Sequence, residues 1–187
     1  MTQVFDLSDP AKPVHVRDFG LPGQEPSAKV AKESDSFYQL HGLISTGVKG
    51  NRLYLGYGTV RNGAVQVVDR EKLLTGPKEP TPENFRYPEI GRLEMNPMVG
   101  AHTAMPLGRI KIQEFAKDAD KGDREFVMIV NETFREECGE ARQMVWFVDT
   151  TIEKSPMVIS NWTVPEASGN FCTRGGRFGA HSSNEDM

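Results

Sequence analysis

The sequence lacks the features that would place it in several large protein classes. It has only two cysteines, which is too few for a fold built on disulfides. No apolar run approaches the roughly 18 residues of a membrane-spanning helix, so no membrane span is expected. The formal net charge of −4 offers no basic face, and nucleic acid is therefore not an expected partner.

The chain also lacks a leader-like segment and the short motifs of common enzyme classes. Residues 1–7 contain neither the basic n-region nor the apolar h-region of a secretory signal peptide, and the sequence does not define the cellular compartment. There is no glycine-rich nucleotide loop and no Gly-x-Ser-x-Gly nucleophile elbow. The sequence therefore defines no set of catalytic residues.

What the sequence does contain is a repeated pair of markers. Three segments consist of two apolar β-forming residues followed by aspartate, and they end at Asp6, Asp69 and Asp149. Each aspartate is followed, after 35, 33 and 32 residues respectively, by a histidine: His41, His102 and His181. Two markers that recur at a nearly constant spacing are typical of a structural repeat.

Short strand-like runs lie between the markers, and each complete unit contains four of them. The sequence has no long amphipathic stretch that would predict a helix in their place. This pattern predicts an all-β fold made of β-propeller blades, which are four-stranded antiparallel repeats. A β-sandwich is the alternative, but it would not explain why the spacing between the two markers is nearly constant. The predicted domain is a single partial propeller with a blade remnant at 1–22, blades at 37–96 and 99–165, and the start of another at 171–187. Our count of 11 strands falls short of the roughly 16 in a closed four-bladed ring, so the ring is incomplete.

The first marker carries a resemblance to a known family. Residues 4–14 read Val-Phe-Asp-Leu-Ser-Asp-Pro-Ala-Lys-Pro-Val, which resembles the blade ending of the LVIVD-repeat β-propeller proteins. The copies at Asp69 and Asp149 are degenerate, and residues 171–181 look like segments of uncharacterised bacterial members. The resemblance implies a propeller fold and a soluble protein, periplasmic or secreted in the parent family, but little specific chemistry.

Three of the four histidines occupy the same place in the repeat. Equivalent positions on neighbouring blades face one axis, so His41, His102 and His181 are expected to converge there. Imidazole is the commonest metal ligand near neutral pH, and several imidazoles favour Fe, Cu or Zn. A packing role with hydrogen bonds to a neighbouring blade, or a metal-free catalytic role, is also compatible with the register. His15 is expected on an outer strand at the surface.

Four other side chains are candidates for supporting roles. Glu132 and Glu185 are candidates for carboxylates that hydrogen-bond a histidine ligand and orient it, although both also fit ordinary loop charges. Cys138 and Cys172 are either two buried thiols or one disulfide, depending on the compartment.

Two functions are compatible with these patterns. The first is a metal-binding propeller protein, either a metal-dependent oxidoreductase or a hydrolase with its histidine site on the axis. The alternative is a non-catalytic propeller module that binds a protein, a glycan or a small ligand, because propellers host both kinds of function. The open strand edges at both ends of the blade run predict self-association.

Overall fold

The computed structural model is mainly antiparallel β-sheet and describes residues 1–28, 39–59, 61–119, 121–165, 169–173 and 175–181. The strands in these ranges are β1 (Thr2–Asp6), β2 (Val14–Phe19), β3 (Leu40–Ser45), β4 (Arg52–Tyr57), β5 (Ala64–Asp69), β6 (Glu89–Glu94), β7 (Thr103–Lys111), β8 (Asp123–Val130), β9 (Val145–Asp149) and β10 (Met157–Trp162). The helices are α1 (Gly47–Gly50), α2 (Arg70–Thr75) and α3 (Pro82–Arg86), with 3-10 turns at Gln113–Phe115 and Phe171–Thr173. No helix in the described ranges is long and apolar enough to cross a membrane.

The strands form three open sheets, and within each sheet the strands pair in chain order. The first sheet contains β1 and β2, the second runs β3-β4-β5-β6, and the third runs β7-β8-β9-β10. All the strand pairs are antiparallel. The expectation of four-stranded antiparallel sheets is thus confirmed, and none of the three sheets closes on itself.

The two inner strands of the second sheet, β4 and β5, are buried on both faces, and this places the sheet at the centre of the packing. On one face, Leu55 and Val68 pack in a cluster with Phe19 from the first sheet. On the other, Tyr54 and Val67 pack with residues of the third sheet. Strands covered on both faces read as near-continuous apolar runs, and the sequences of β4 and β5 do so for this reason.

The aspartate of each repeat marker ends a strand and holds the turn that follows. In each case a carboxylate oxygen accepts a backbone N–H two or three residues further on: Ser8 N to Asp6 at 2.8 Å, Lys72 N to Asp69 at 3.0 Å, and Thr151 N to Asp149 at 2.8 Å. Asp and Ser side chains are favoured in turns because they satisfy backbone groups in this way. At Asp69 the turn becomes the N-cap of α2.

The segment 171–187 differs from the strand expected there. In its described part, Phe171–Thr173 form a 3-10 turn, and residues 175–181 contain no strand. Gly175 and Gly176 both have positive φ, at 69° and 72°, which bends the chain. The rings of Phe171 and Phe178 stack 3.7 Å apart, so the segment folds back on itself instead of extending along a sheet edge.

Candidate metal centre

His41 lies on β3 at a β-bulge. Leu40 pairs with Tyr57 and Gly42 pairs with Gly56, so the register shifts at His41 and leaves it as the extra residue. A bulge bends the strand and re-aims the side chain at the shift. The His41 side chain is exposed, and its ring centroid lies 3.7 Å from that of His102.

His102 immediately precedes β7 and is brought to His41 by a close approach of two backbones. Ala101 N donates to Tyr57 O at 3.2 Å, which holds the segment against the end of β4. A Cβ on Gly42 would lie 2.5 Å from His102 O, so only glycine fits at that point of β3. This packing leaves His102 only 9% exposed.

Asn131 fixes the same segment from the other side and was not recognised in the sequence. Its side chain is fully buried, and its Nδ2 donates to Gly100 O. Its Oδ1 accepts from Met144 N at 3.1 Å and from the Trp146 indole N–H at 2.6 Å. Asn131 therefore ties the His102 segment to β9, and it positions the next residue, Glu132. The available signal was a polar residue directly after the apolar run of β8.

Glu132 lies between two of the histidines. One carboxylate oxygen is 3.7 Å from His102 Nε2, and the other is 3.4 Å from His181 Nε2. The residue is 8% exposed, yet its carboxylate makes no hydrogen bond of normal length to the rest of the described chain. One ligand atom each from His41, His102 and Glu132 can be chosen so that all three lie within 4.8 Å of one another.

His181 reaches this group from the C-terminal segment. Thr133 N donates to Ala180 O at 3.2 Å, and a Cβ on Gly179 would collide with the Thr133 side chain. The His181 side chain is 66% exposed, and its ring lies edge-on to that of His102 with centroids 5.1 Å apart. The three repeat-register histidines therefore lie in one cluster, with His102 in the middle.

The surroundings of His102 disfavour the charged form of its imidazole. Burial lowers the pKa of His102, and the neighbouring His41 lowers it further, while Glu132 acts in the opposite direction. His102 Nδ1 lies 2.8 Å from Thr103 Oγ1. When Nδ1 carries the proton and donates it to Thr103, the Nε2 lone pair faces the Glu132 carboxylate. Two lone pairs that face each other in a buried site are stabilised by a cation placed between them.

The packing role considered from the sequence finds little support in the contacts. Among the described residues, no ring nitrogen of His41, His102 or His181 hydrogen-bonds to backbone. His15 lies apart from the cluster on β2, where it pairs with Asp18 at 3.1 Å and is 45% exposed.

The Glu132 carboxylate has no counterpart at the equivalent position of the second sheet, whereas the histidines recur with the repeat. The loop that follows β4 in the second sheet carries Gly58 and Thr59, whereas the loop after β8 carries Asn131 and Glu132. Glu185, the other carboxylate expected near the histidines, lies outside the described residues.

Cys138 and Cys172 form a disulfide with a Cα–Cα distance of 5.1 Å. Cys138 belongs to the loop that follows Glu132, and Cys172 belongs to the segment that carries His181. The disulfide therefore links the two parts of the chain that meet at the histidine cluster.

Comparison with known proteins gives no match to any family model, to any curated protein or to any solved structure. The case for a function therefore depends on the geometry of this cluster.

Proposed function

We propose that this chain is a transition-metal-binding protein in which His41, His102 and Glu132 hold the metal and His181 is a further ligand. The observation that carries the proposal is the Glu132 carboxylate, which is buried, lacks a hydrogen bond of normal length and faces two imidazoles. Metal–ligand distances of about 2.1 Å place neighbouring ligand atoms about 3–3.5 Å apart. Side-chain shifts of about an ångström bring atoms now within 4.8 Å of one another to that spacing.

The donor set narrows the choice of metal. Two imidazoles and one carboxylate with open coordination positions are typical of Fe(II) in oxygen chemistry and of catalytic Zn²⁺. A third imidazole from His181 also suits Cu(II). Because His41 and His181 are exposed, a substrate can approach the metal from their side. This arrangement supports a metal-dependent oxidoreductase or hydrolase, with bound iron or copper favouring the former and zinc the latter.

We extend the proposal to the architecture that the sheets form. We propose that the second and third sheets are consecutive blades of an incomplete β-propeller of the LVIVD-repeat kind. In support, both sheets are four-stranded, antiparallel and in chain order, and β3 and β4 contact β7. His41 also lies on the first strand of the second sheet, and His102 lies just before the first strand of the third, and the first strand of a blade is the one that lines a propeller axis.

Elemental analysis of protein purified without chelator tests the metal directly. We expect about one equivalent of Fe, Zn or Cu per chain, and a visible spectrum of bound Co²⁺ after exchange. The triple His41/His102/His181→Ala variant should lose the metal. His15→Ala, which removes an exposed histidine outside the cluster, should retain it. Absence of metal from the wild-type protein, together with failure of added Fe(II), Zn²⁺, Cu²⁺ and Co²⁺ to bind, would refute the proposal.

Self-association is a second expectation of the proposal. Four large apolar side chains of β10 are exposed, with Met157 at 61%, Val158 at 36%, Ile159 at 49% and Trp162 at 54%. Strand edges that carry such residues invite pairing with another chain. We expect light scattering to show a dimer or larger species whose fraction rises with concentration, and Ile159→Lys to reduce it. A monodisperse monomer at high concentration would contradict this expectation.

A further inference from the structure

A cavity of about 350 Å³ lies beside the histidine cluster, between one face of the third sheet and residues 179–181. His181 is part of its wall, and Nε2 of this residue is 3.4 Å from a Glu132 oxygen. We propose that this His181 cavity holds the hydrophobic body of the metal site's substrate, which is a small uncharged molecule. The inference rests on the proposed metal-binding function and names the substrate class of the same site.

The floor of the His181 cavity is a row of apolar side chains on the third sheet. Val130 pairs with Val145, and Val145 pairs with Trp162, so these three side chains lie side by side across β8, β9 and β10. Side chains alternate between the two faces of a strand, and Val127 and Ile129 of β8 pack against the second sheet. The row therefore faces away from the second sheet and forms one wall of the cavity.

The lining of the His181 cavity favours an uncharged ligand. Its described residues include no aspartate, glutamate, lysine or arginine, and the polar ones are Gln143, Thr163 and His181. A charged ligand would lose its hydration there without an oppositely charged side chain in the lining to offset the loss. A volume of about 350 Å³ is at the lower end of the range for ligand cavities, so the ligand is small.

Trp162 and two methionines favour a ligand that contains a ring. The Trp162 side chain is 54% exposed, so its indole is open to contact by a molecule in the cavity. Aromatic rings attract one another beyond the effect of the area that they bury. Met128 and Met144 line the same cavity, and thioethers also make favourable contacts with aromatic rings.

His181 connects the cavity with the proposed metal ligands. Its ring lies edge-on to that of His102, with centroids 5.1 Å apart. A molecule that contacts His181 from the cavity is therefore one side chain away from the group formed by His41, His102 and Glu132. A hydroxyl or thiol carried by that molecule would occupy an open coordination position of the metal.

Benzyl alcohol, benzoate and benzylammonium form a matched set of probes, because they share a ring and differ in charge. In NMR titrations of the metal-free protein, we expect benzyl alcohol to shift the indole N–H signal of Trp162. It should bind at least about tenfold more tightly than either ion, because burying a charge is costly. Trp162→Ala, which removes the ring, should weaken benzyl alcohol binding by about threefold to tenfold. Ile159→Ala, at a similarly exposed residue of β10 outside the cavity, should retain the wild-type affinity.

The Co²⁺-loaded protein tests the connection between the cavity and the metal. We expect 2-phenylethanethiol to change the visible spectrum of bound Co²⁺ at a concentration about tenfold lower than ethanethiol, because only the former carries a ring that fills the cavity. Trp162→Ala should reduce this difference, and Ile159→Ala should preserve it.

The two titrations distinguish failure of the cavity from failure of the metal site. No shift of the Trp162 signal, equal binding of the three benzyl probes, or shifts spread along β10 would overturn the assignment of the cavity. Binding of benzyl alcohol together with equal responses of Co²⁺ to the two thiols would overturn its role as a substrate site. Binding of benzyl alcohol by a protein that takes up no metal would refute the proposed function and, with it, the substrate assignment.

Discussion

Replacing Glu132 by glutamine is expected to abolish tight metal binding while leaving the metal-free protein as stable as the wild type. Glu132 supplies the only carboxylate of the group formed with His41 and His102. An amide oxygen carries no charge and is a poor ligand for a transition metal. The loss of affinity should exceed the roughly 10–100-fold that removal of a group hydrogen-bonded to a metal ligand typically causes.

The stability of the metal-free Glu132→Gln variant distinguishes a metal ligand from a member of a structural ion pair. The Glu132 oxygens lie 3.4 and 3.7 Å from the imidazole nitrogens, beyond the usual hydrogen-bond range. Burying a charge that is poorly paired has a cost, so neutralising it should not lower the free energy of unfolding of the metal-free protein. Competition against a chromophoric chelator measures the affinity, and urea unfolding of the metal-free protein measures the stability.

Glu125→Gln is a suitable control, because Glu125 lies towards the opposite end of β8, and in the described part of the chain its half-exposed carboxylate pairs with Arg109 at 3.5 Å. Solvent-screened pairs of this kind contribute little to stability, so this variant should match the wild type in both measurements. Wild-type metal affinity in Glu132→Gln would contradict the assignment of Glu132 as a ligand. A large loss of stability in the metal-free variant would point to a structural role.

Much of the fold was predictable because each four-stranded sheet is formed by strands that follow one another in the chain. Alternating and continuous apolar runs locate such strands, and turn-forming aspartates mark where they end. The segment 171–187 was less predictable, since a strand forms only where an unpaired edge accepts it. Residues 175–181 instead fold back through two glycines with positive φ.

The candidate site was predictable only in part. Repeat register selected His41, His102 and His181, and the structure places their rings side by side. Glu132 is expected from the sequence to orient a ligand, and its position beside His41 and His102 also makes it a candidate ligand itself. Its position depends on the burial of Asn131 and on the close approach of two backbones at Gly42, and neither leaves a local sequence motif.

Breaking the Cys138–Cys172 disulfide is expected to weaken metal binding through His181. In the described chain, the segment that carries His181 has three hydrogen bonds to the loop after β8: Thr133 N to Ala180 O, Thr133 Oγ1 to Phe178 O and Glu137 N to Gly176 O. Their lengths of 3.2–3.4 Å are at the weak end of the range. The covalent bond is therefore the strongest link that keeps His181 near Glu132.

The double Cys138→Ser/Cys172→Ser variant should be less stable as well. The disulfide closes a loop with a sequence separation of 34 residues, which the chain-entropy model converts to about 3–4 kcal/mol of unfolding free energy. Part of this loss should appear as local release of the segment, visible as faster hydrogen exchange in residues 175–181. Mass spectrometry of non-reduced wild-type protein should find no free thiol, and two free thiols in oxidised protein would remove the premise.

A double-mutant cycle shows whether the disulfide acts on the metal through His181. In the disulfide-bonded protein, His181→Ala should lower metal affinity by about tenfold, in the range typical for a supporting interaction. If the disulfide serves to hold this ligand, the double serine variant should show a similar loss, and adding His181→Ala to it should cause little more. Additive losses would mean that the disulfide stabilises the loop around Glu132 directly. Unchanged affinity in both backgrounds would mean that the metal is held by His41, His102 and Glu132 alone, with His181 outside the coordination sphere.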